Sequence, residues 1–310
     1  MKQVNWMIPD DAGEKLKKDG FFFDENIIID NDLIEINKEI NEWKYTPAIN
    51  GYGCLHHDHD ALLQNLSLYS PAALKMALSE SLINFMEKHY GEKVILSKIE
   101  YRRTLVSKPK MPLHSDNSKA VLIFIYLSGA SKSLGATATI PGTHIKGISL
   151  NEGYYQIPEH VERDHGLAEI AVEGRPGTCL FFDANIWHSR HESTQPGREI
   201  IWISYIPFSA RNDTANLVFS RRSLIGLNNR QLDVLALRVE DLGNKFSEDF
   251  RLSKLQQNDS LRLLPGKFII RALLNNIYMD IRQSIPYPIK IIIKKIIGIK
   301  NKKVNIKIRD

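Results

Sequence analysis

The sequence is poor in cysteine and has no long apolar runs. Its 310 residues include only Cys54 and Cys179, which are too few for a disulfide framework or for a zinc site built from thiolates. Two isolated thiols fit a reducing compartment. No stretch reaches the ~18 uncharged apolar residues of a membrane span, and the first ten residues lack the basic start and apolar run of a secretory signal. We therefore expect a cytoplasmic protein that folds around its own core.

Excess positive charge is absent from most of the chain. The formal net charge is +5, from 41 Lys and Arg residues against 36 Asp and Glu residues. Residues 281–310 contain nine of the basic residues and one Asp, so the other 280 residues have 32 basic and 35 acidic side chains. The basic balance therefore describes a tail, and we expect no nucleic-acid-binding surface on the main body of the protein.

The end of the chain has the pattern of a basic amphipathic helix. Within residues 289–300, isoleucines recur at helical spacing on one face, and three lysines lie mostly on the opposite face. Such a helix can bind an anionic membrane surface, which would place the protein peripherally at the inner membrane, near a lipid or a lipid-linked substrate. A helix that packs on its own domain, with a solvated lysine face, fits the pattern equally well.

The central part of the chain has the texture of a β protein. Residues 95–207 contain short runs of β-branched and aromatic residues that are separated by Gly and Pro. Short strands of even length, with no helices between them, favour an antiparallel sandwich or barrel over a doubly wound sheet. The predicted strands lie at residues 94–96, 120–127, 136–140, 177–182 and 199–206.

Segments with helical periodicity lie on both sides of this central part. Residues 1–94 are expected to form a helical flank, with one helix from Pro71 to His89. Helical spacing returns in a C-terminal helical region, residues 208–283, where helices are predicted at 229–244 and 266–282. The basic tail, residues 284–310, follows this region.

Three residues of the central part form a candidate iron site. His114 and Asp116 precede the strand that begins at Ala120, and residues two apart in a strand point to the same face, so both can bind one metal. His188 follows Asp116 by 72 positions, at the end of an apolar run. Two imidazoles and one carboxylate bind iron(II) and leave positions open for a bidentate oxoacid and for oxygen. Alone, His-x-Asp is weak evidence, because a turn histidine beside a capping aspartate has the same spacing.

Arg198 is the candidate ligand for the oxoacid. It lies ten residues after His188 and opens the last strand of the central part. If the strands are antiparallel, the guanidinium returns to the metal, where its planar fork suits the distal carboxylate of 2-oxoglutarate. Taken alone, Arg198 could equally be a solvated charge at a strand end. The order and spacing of the four residues favour the functional interpretation.

A second group of histidines occurs at residues 56–60, His-His-Asp-His-Asp. It also contains His-x-Asp and looks superficially like a metal site. The group follows the turn Gly51-Tyr-Gly instead of preceding a strand, and no partner motif accompanies it. We interpret it as a polar loop that borders the substrate entrance.

Around the candidate iron site, the chain resembles the phytanoyl-CoA dioxygenase-like oxygenases, the relatives of phytanoyl-CoA hydroxylase and ectoine hydroxylase. The resemblance covers roughly a third of the chain, residues 98–207. It rests on His114-Ser-Asp116, on Thr139-Ile-Pro-Gly-Thr-His144, and on the run from Arg175 to His188 with Arg198 after it. The second motif is the most specific, because generic oxygenases of this class lack it. Its histidine is not carried over as an iron ligand.

The resemblance implies a mainly β fold with flanking helices, whose core is a double-stranded β-helix, or cupin-like jelly roll. It implies that His114, Asp116 and His188 hold Fe(II), that Arg198 holds 2-oxoglutarate, and that O2 is a further co-substrate. Other contacts to 2-oxoglutarate are expected from the strand before the first ligand, near Tyr101 and Arg103, although no motif fixes them.

The implied activity is hydroxylation of an unactivated C–H bond, with release of succinate and CO2. Asp116 favours hydroxylation or desaturation, because related halogenases have Gly or Ala at this position and bind chloride there. Small amino-acid derivatives, acyl thioesters, lipids and lipid-linked sugars all stay open as substrates. Two other functions fit the same fold. The first is a non-catalytic binding module, which the loss of a ligand residue would have favoured. The second is a cupin of another chemistry, such as an isomerase, which would not need Arg198.

Overall fold

The computed structural model describes residues 5–28, 30–45, 54–57, 60–116, 118–145, 168–210, 217 and 221–236. The helix predicted at residues 266–282 and the basic tail, residues 284–310, lie outside these residues. The described part contains no helix of the length and apolarity that crossing a membrane requires.

Two antiparallel β-sheets form the centre of the fold. The strands are β1 (Phe21–Asp24), β2 (Leu55–His57), β3 (Asp60–Leu63), β4 (Val94–Thr104), β5 (Met111–His114), β6 (Val121–Tyr126), β7 (Thr137–Ile140), β8 (Ile170–Ala171), β9 (Cys179–Asp183), β10 (Trp187–Arg190) and β11 (Glu199–Pro207). The major sheet has seven strands in the order β1-β9-β6-β11-β4-β3-β2, and the minor sheet has four in the order β5-β10-β7-β8. This jelly-roll arrangement confirms the predicted fold class.

Helices pack on one side of the major sheet. They are α1 (Ala12–Lys18), α2 (Asp30–Trp43), α3 (Pro71–Ala77), α4 (Glu80–Tyr90), α5 (Arg221–Leu224) and α6 (Asn229–Val234). The single helix predicted at 71–89 is two helices, because Ser79 between them has an extended backbone with φ −65° and ψ 143°, which interrupts the helical hydrogen bonds. The predicted helix at 229–244 is helical from Asn229 to Val234 within the described residues.

The two faces of the major sheet contribute to two different apolar clusters. Along β6, β9 and β11, one set of alternate residues packs against the helices, and the other set fills the interior between the sheets. On β9, for example, Phe181 faces the helices and Phe182 faces the interior. The interior face is therefore the one on which a site between the two sheets can form.

The predicted N-terminal flank contributes strands as well as helices. β1 pairs with β9 at one edge of the major sheet, and β3 pairs with β4 near the other edge. The sheet therefore extends across the boundary expected near residue 95. Strands of three or four residues contain too few alternations to be distinguished by periodicity.

Candidate metal and co-substrate site

Strand pairing brings the three predicted metal ligands together. His114 ends β5, and in the antiparallel pair of β5 and β10 it lies directly opposite His188. Directly opposed residues of an antiparallel pair project to the same face. Asp116 lies two residues beyond His114, and its backbone N–H donates to the carbonyl oxygen of Ala184 at 2.9 Å. This bond holds the carboxylate close to the two histidines.

The geometry of the three side chains suits a metal ion. Their ligand atoms all lie within 4.8 Å of one another. Oδ1 of Asp116 lies 3.8 Å from Nε2 of His114, and Oδ2 of Asp116 lies 3.8 Å from Nε2 of His188. In the part of the chain that the structure describes, no other group of three such residues has this arrangement. The donor set of two imidazoles and one carboxylate fits iron(II).

Both imidazole rings are oriented by backbone carbonyls. Nδ1 of His114 lies 2.9 Å from the carbonyl oxygen of Pro112, and Nδ1 of His188 lies 2.9 Å from that of Ile186. When Nδ1 carries the proton and donates it to the carbonyl, the lone pair of Nε2 is left for a metal. The ring of Phe182 packs edge-on against His188, with the centroids 5.1 Å apart. The ring of His188 is therefore fixed on two sides.

Burial favours the neutral form of His188. Removal from solvent is the main cause that lowers the pKa of His188 to about 4, and the nearby ring of His114 is the second. Asp116 opposes this shift only in part. At neutral pH the imidazole is consequently uncharged, which is the form that binds metals.

Arg198 lies in the same interior space. It directly precedes β11 and is only 6% exposed. Its Nη2 donates to the hydroxyl of Thr137 on β7 at 3.0 Å, and its guanidinium carbon lies 5.4 Å from the ring centroid of Tyr126 and 5.9 Å from that of Phe124. Thr137 is two residues from Thr139, which pairs with His188. Arg198 thus lies about one residue pair deeper in the barrel than the metal ligands, because residues that share a strand face repeat every ~6.6 Å.

Tyr101 is not brought to this site. It is fully buried, and it belongs to the cluster between the major sheet and the helices. Arg198 contacts Phe124 and Tyr126, which belong to the interior cluster. Tyr101 therefore lies on the opposite face of the sheet, and this placement corrects the expectation that it contacts 2-oxoglutarate.

The interior face of β4 holds charged residues that sequence reasoning missed. Nζ of Lys98 lies 3.9 Å from the ring centroid of Trp202, and the guanidinium carbon of Arg102 lies 5.2 Å from it. Glu100 is the cross-strand partner of Trp202, and its Oε1 lies 2.8 Å from Nη2 of Arg102. The alternation Lys-x-Glu-x-Arg was the available signal, since every second residue of a strand shares a face.

Arg190 lies on the same face of β10 as His188. It lies two positions after His188 on β10 and pairs with Thr137 on β7. Its burial, and then the charge of Arg198, lower the pKa of its guanidinium. Both arginines are adjacent to Thr137, since Arg198 donates to its hydroxyl.

His144 contacts α1 and is not one of the three candidate ligands. Nε2 of His144 is 3.0 Å from the carbonyl oxygen of Lys17, near the end of α1. Of residues 56–60, the first two belong to β2, the next two lie outside the described residues, and Asp60 opens β3. Asp60 is buried, and its Oδ1 lies 2.8 Å from Nζ of Lys108. The segment thus includes parts of β2 and β3 and is not simply a loop.

Several solved structures share this fold. For EctD from S. alaskensis with bound Fe, the match has 17% identity and a TM-score of 0.54, and it covers 67% of this chain and 82% of that chain. For the non-heme alpha ketoglutarate dependent carbocyclase SnoK from nogalamycin biosynthesis, the values are 13%, 0.50, 65% and 85%. For HygX from Streptomyces hygroscopicus with nickel, 2-oxoglutarate and hygromycin B bound, they are 16%, 0.50, 64% and 88%.

Sequence comparison identifies the family. No curated protein matches the chain. The phytanoyl-CoA dioxygenase (PhyH) family matches residues 17–199, which is more than half of the chain and includes the three candidate metal ligands and Arg198. The chain therefore belongs to the phytanoyl-CoA dioxygenase family.

Proposed function

We propose that the protein is an iron(II)- and 2-oxoglutarate-dependent dioxygenase that hydroxylates an unactivated C–H bond of a small molecule and releases succinate and CO2. The observation that carries this proposal is the convergence of His114, Asp116 and His188 within 4.8 Å, in the same interior space as the buried Arg198. Membership of the phytanoyl-CoA dioxygenase family supports this chemistry.

The protein's own residues have distinct roles in this proposal. His114, Asp116 and His188 would hold iron(II), and Arg198 would bind the distal carboxylate of 2-oxoglutarate. Bound together, iron and 2-oxoglutarate supply the activation of O2 and the oxidation that yields succinate and CO2. The aromatic residues around Arg198 and His188 exclude water from the site, which protects a reactive intermediate from side reactions.

The two alternative functions explain less of the site. A binding module whose metal site is vestigial does not need a complete set of ligands, with Nε2 of both fixed imidazole rings close to the carboxylate of Asp116. An isomerase of the cupin type does not need a buried arginine that is held beside the metal ligands by Thr137. The dioxygenase accounts for both features.

For the substrate, we propose a small molecule. HygX shares the fold and has hygromycin B bound, and SnoK comes from nogalamycin biosynthesis. A lipid-linked sugar, with residues 284–310 docked on an anionic membrane, is a narrower form of the proposal that rests on the sequence pattern of the tail. Sedimentation with anionic liposomes tests it: binding should weaken with salt and disappear on truncation after Ser284.

The test of the activity combines metal binding with product detection. Anaerobically purified protein should bind one iron(II) per chain and, with O2, convert 2-oxoglutarate to succinate. His188→Ala and Asp116→Ala should abolish turnover and preserve the fold. His144→Ala is the matched control, since that histidine contacts Lys17 and not the metal ligands. Full activity in either ligand variant would rule out the assignment.

Asp116 also allows a prediction about the product. A carboxylate at this position occupies the place that chloride would take on the metal. The product should therefore contain added oxygen or a new double bond even in high chloride, and mass spectrometry distinguishes these outcomes. A chlorinated product from the native protein would contradict the role of Asp116.

A further inference from the structure

A buried arginine, Arg198, and a half-buried arginine, Arg190, both lie next to Thr137 in the interior of the barrel. Arg198 donates to the hydroxyl of Thr137 at 3.0 Å. Arg190 is the cross-strand partner of Thr137, and directly opposed residues of an antiparallel pair project to the same face with their Cβ atoms about 5 Å apart. The side chains of Arg190 and Arg198 are therefore both adjacent to Thr137.

The carboxylates of this region are already paired with other cations. Oδ1 of Asp60 lies 2.8 Å from Nζ of Lys108, and Oε1 of Glu100 lies 2.8 Å from Nη2 of Arg102. Among the described residues, neither Arg190 nor Arg198 forms an ion pair with a carboxylate. The barrel interior thus contains two guanidinium groups whose charge its own acidic residues do not neutralise.

Hydrogen bonding leads to the same conclusion. Nη2 of Arg190 donates to the carbonyl oxygen of Pro109 at 3.1 Å, which holds this guanidinium in place. The Nε groups of Arg190 and Arg198 are both buried and have no acceptor. Buried donors without partners are rare in proteins and call for an explanation, such as a ligand.

A carboxylate is the group that satisfies this arrangement. Its two oxygens offer about four acceptor positions, enough for hydrogen bonds from two guanidinium forks. Two like charges in a region of low dielectric repel each other strongly, and an anion between them removes that repulsion. Arg190 lies two positions from His188 on the same strand face, so the anion would be within reach of the metal site.

We propose that Arg190 and Arg198 together bind the distal carboxylate of 2-oxoglutarate, which makes Arg190 a second specificity-determining residue of the co-substrate site. This inference rests on the proposed function. It assigns to the pair a preference for 2-oxoacids with a distal carboxylate over monocarboxylate 2-oxoacids of the same length. Arg190 positions the co-substrate and takes no part in bond breaking.

The experiment compares two oxoacids in the presence of iron(II) under anaerobic conditions. Isothermal titration of the full chain gives Kd for 2-oxoglutarate and for 2-oxopentanoate, which has the same carbon chain without the distal carboxylate. Arg190→Met should weaken 2-oxoglutarate about 10- to 100-fold, because it removes one charged partner of a carboxylate, and should leave the Kd of 2-oxopentanoate unchanged. Arg190→Lys, which keeps the charge, should recover part of the loss.

The controls separate this role from a structural one. Arg175→Met removes an arginine that hydrogen bonds to Glu25 and Asn26, away from the metal ligands, and should leave both Kd values unchanged. If Arg190→Met weakens both oxoacids equally, or neither, the inference is overturned. If the native protein binds iron(II) but neither oxoacid, the proposed function fails, and the inference fails with it.

Discussion

Two adjacent phenylalanines of β9 allow stability and metal binding to be perturbed separately. Phe181 and Phe182 are both fully buried, but they point to opposite faces of the major sheet. Phe181 packs against the helices, whereas Phe182 lies in the interior and touches His188. We predict that Phe181→Leu destabilises the fold and leaves the metal site intact, whereas Phe182→Leu affects both.

The contacts of each ring set the size of the effect. Phe181 stacks on Phe22 with the centroids 4.6 Å apart and makes edge contacts with Trp6 at 5.7 Å and with Phe85 at 5.8 Å. Aromatic pairs contribute roughly 0.5–1.5 kcal/mol each beyond the area they bury, so the loss of three puts the destabilisation at about 1.5–4.5 kcal/mol. Phe182 has two aromatic contacts, with Phe124 at 5.0 Å and with His188 at 5.1 Å, so its loss should cost less, about 1–3 kcal/mol.

The metal site should respond in the opposite order. Phe182 is one of the groups that fix the ring of His188, and the loss of groups that orient a ligand typically lowers metal affinity about 10- to 100-fold. We therefore expect Phe182→Leu to weaken iron(II) binding at least about tenfold and Phe181→Leu to change it less than about twofold. Thermal unfolding gives the stabilities, and anaerobic titration gives the affinities. Equal losses of affinity in both variants would refute the separation of the two faces.

Two further predictions concern regions away from the site. Arg230 pairs with Glu80 and Glu87 of α4, but it is partly exposed, so Arg230→Ala should lower the free energy of unfolding by only about 1 kcal/mol, with a smaller loss at high salt; a loss that does not depend on salt would contradict an ionic origin. Burial raises the pKa of Cys54 to about 11 and raises that of Cys179 further, so both thiols are protonated at pH 8, and a thiol reagent should label them only after unfolding. Rapid labelling of the native protein would refute this.

The three candidate metal ligands could be identified from the sequence, and the structure brings them together. The spacing of His114 and Asp116 needs only strand alternation, and His188 and Arg198 follow in an order that the family resemblance makes specific. The main strands of the core were also predictable, since each contains a run of β-branched and aromatic residues. The break at Ser79 was not, because the apolar residues on both sides of it keep helical spacing.

Which face a residue of β4 presents could not be predicted, because an irregularity in the strand changes it. Before Ser97, Val94 and Leu96 face the helices; beyond it, Ile99 and Tyr101 do. The register with β11 shifts at this point, where Ser97 is the extra residue, and an extra residue in one strand reverses the alternation that follows. The hydroxyl of Ser97 donates to Ser204 on the partner strand, a long-range bond that the sequence does not reveal.

Arg190 shows why the charged interior as a whole was missed. In the sequence it is one polar residue among several at the end of a short strand, a position where arginine is usually solvated. Its position beside Arg198 follows only from two long-range contacts, the pairing of Arg190 with Thr137 and the hydrogen bond from Arg198 to the same threonine. Each joins segments that are more than 50 residues apart. Local patterns therefore identify the candidate metal ligands and Arg198, whereas the place of Arg190 beside them follows from strand register.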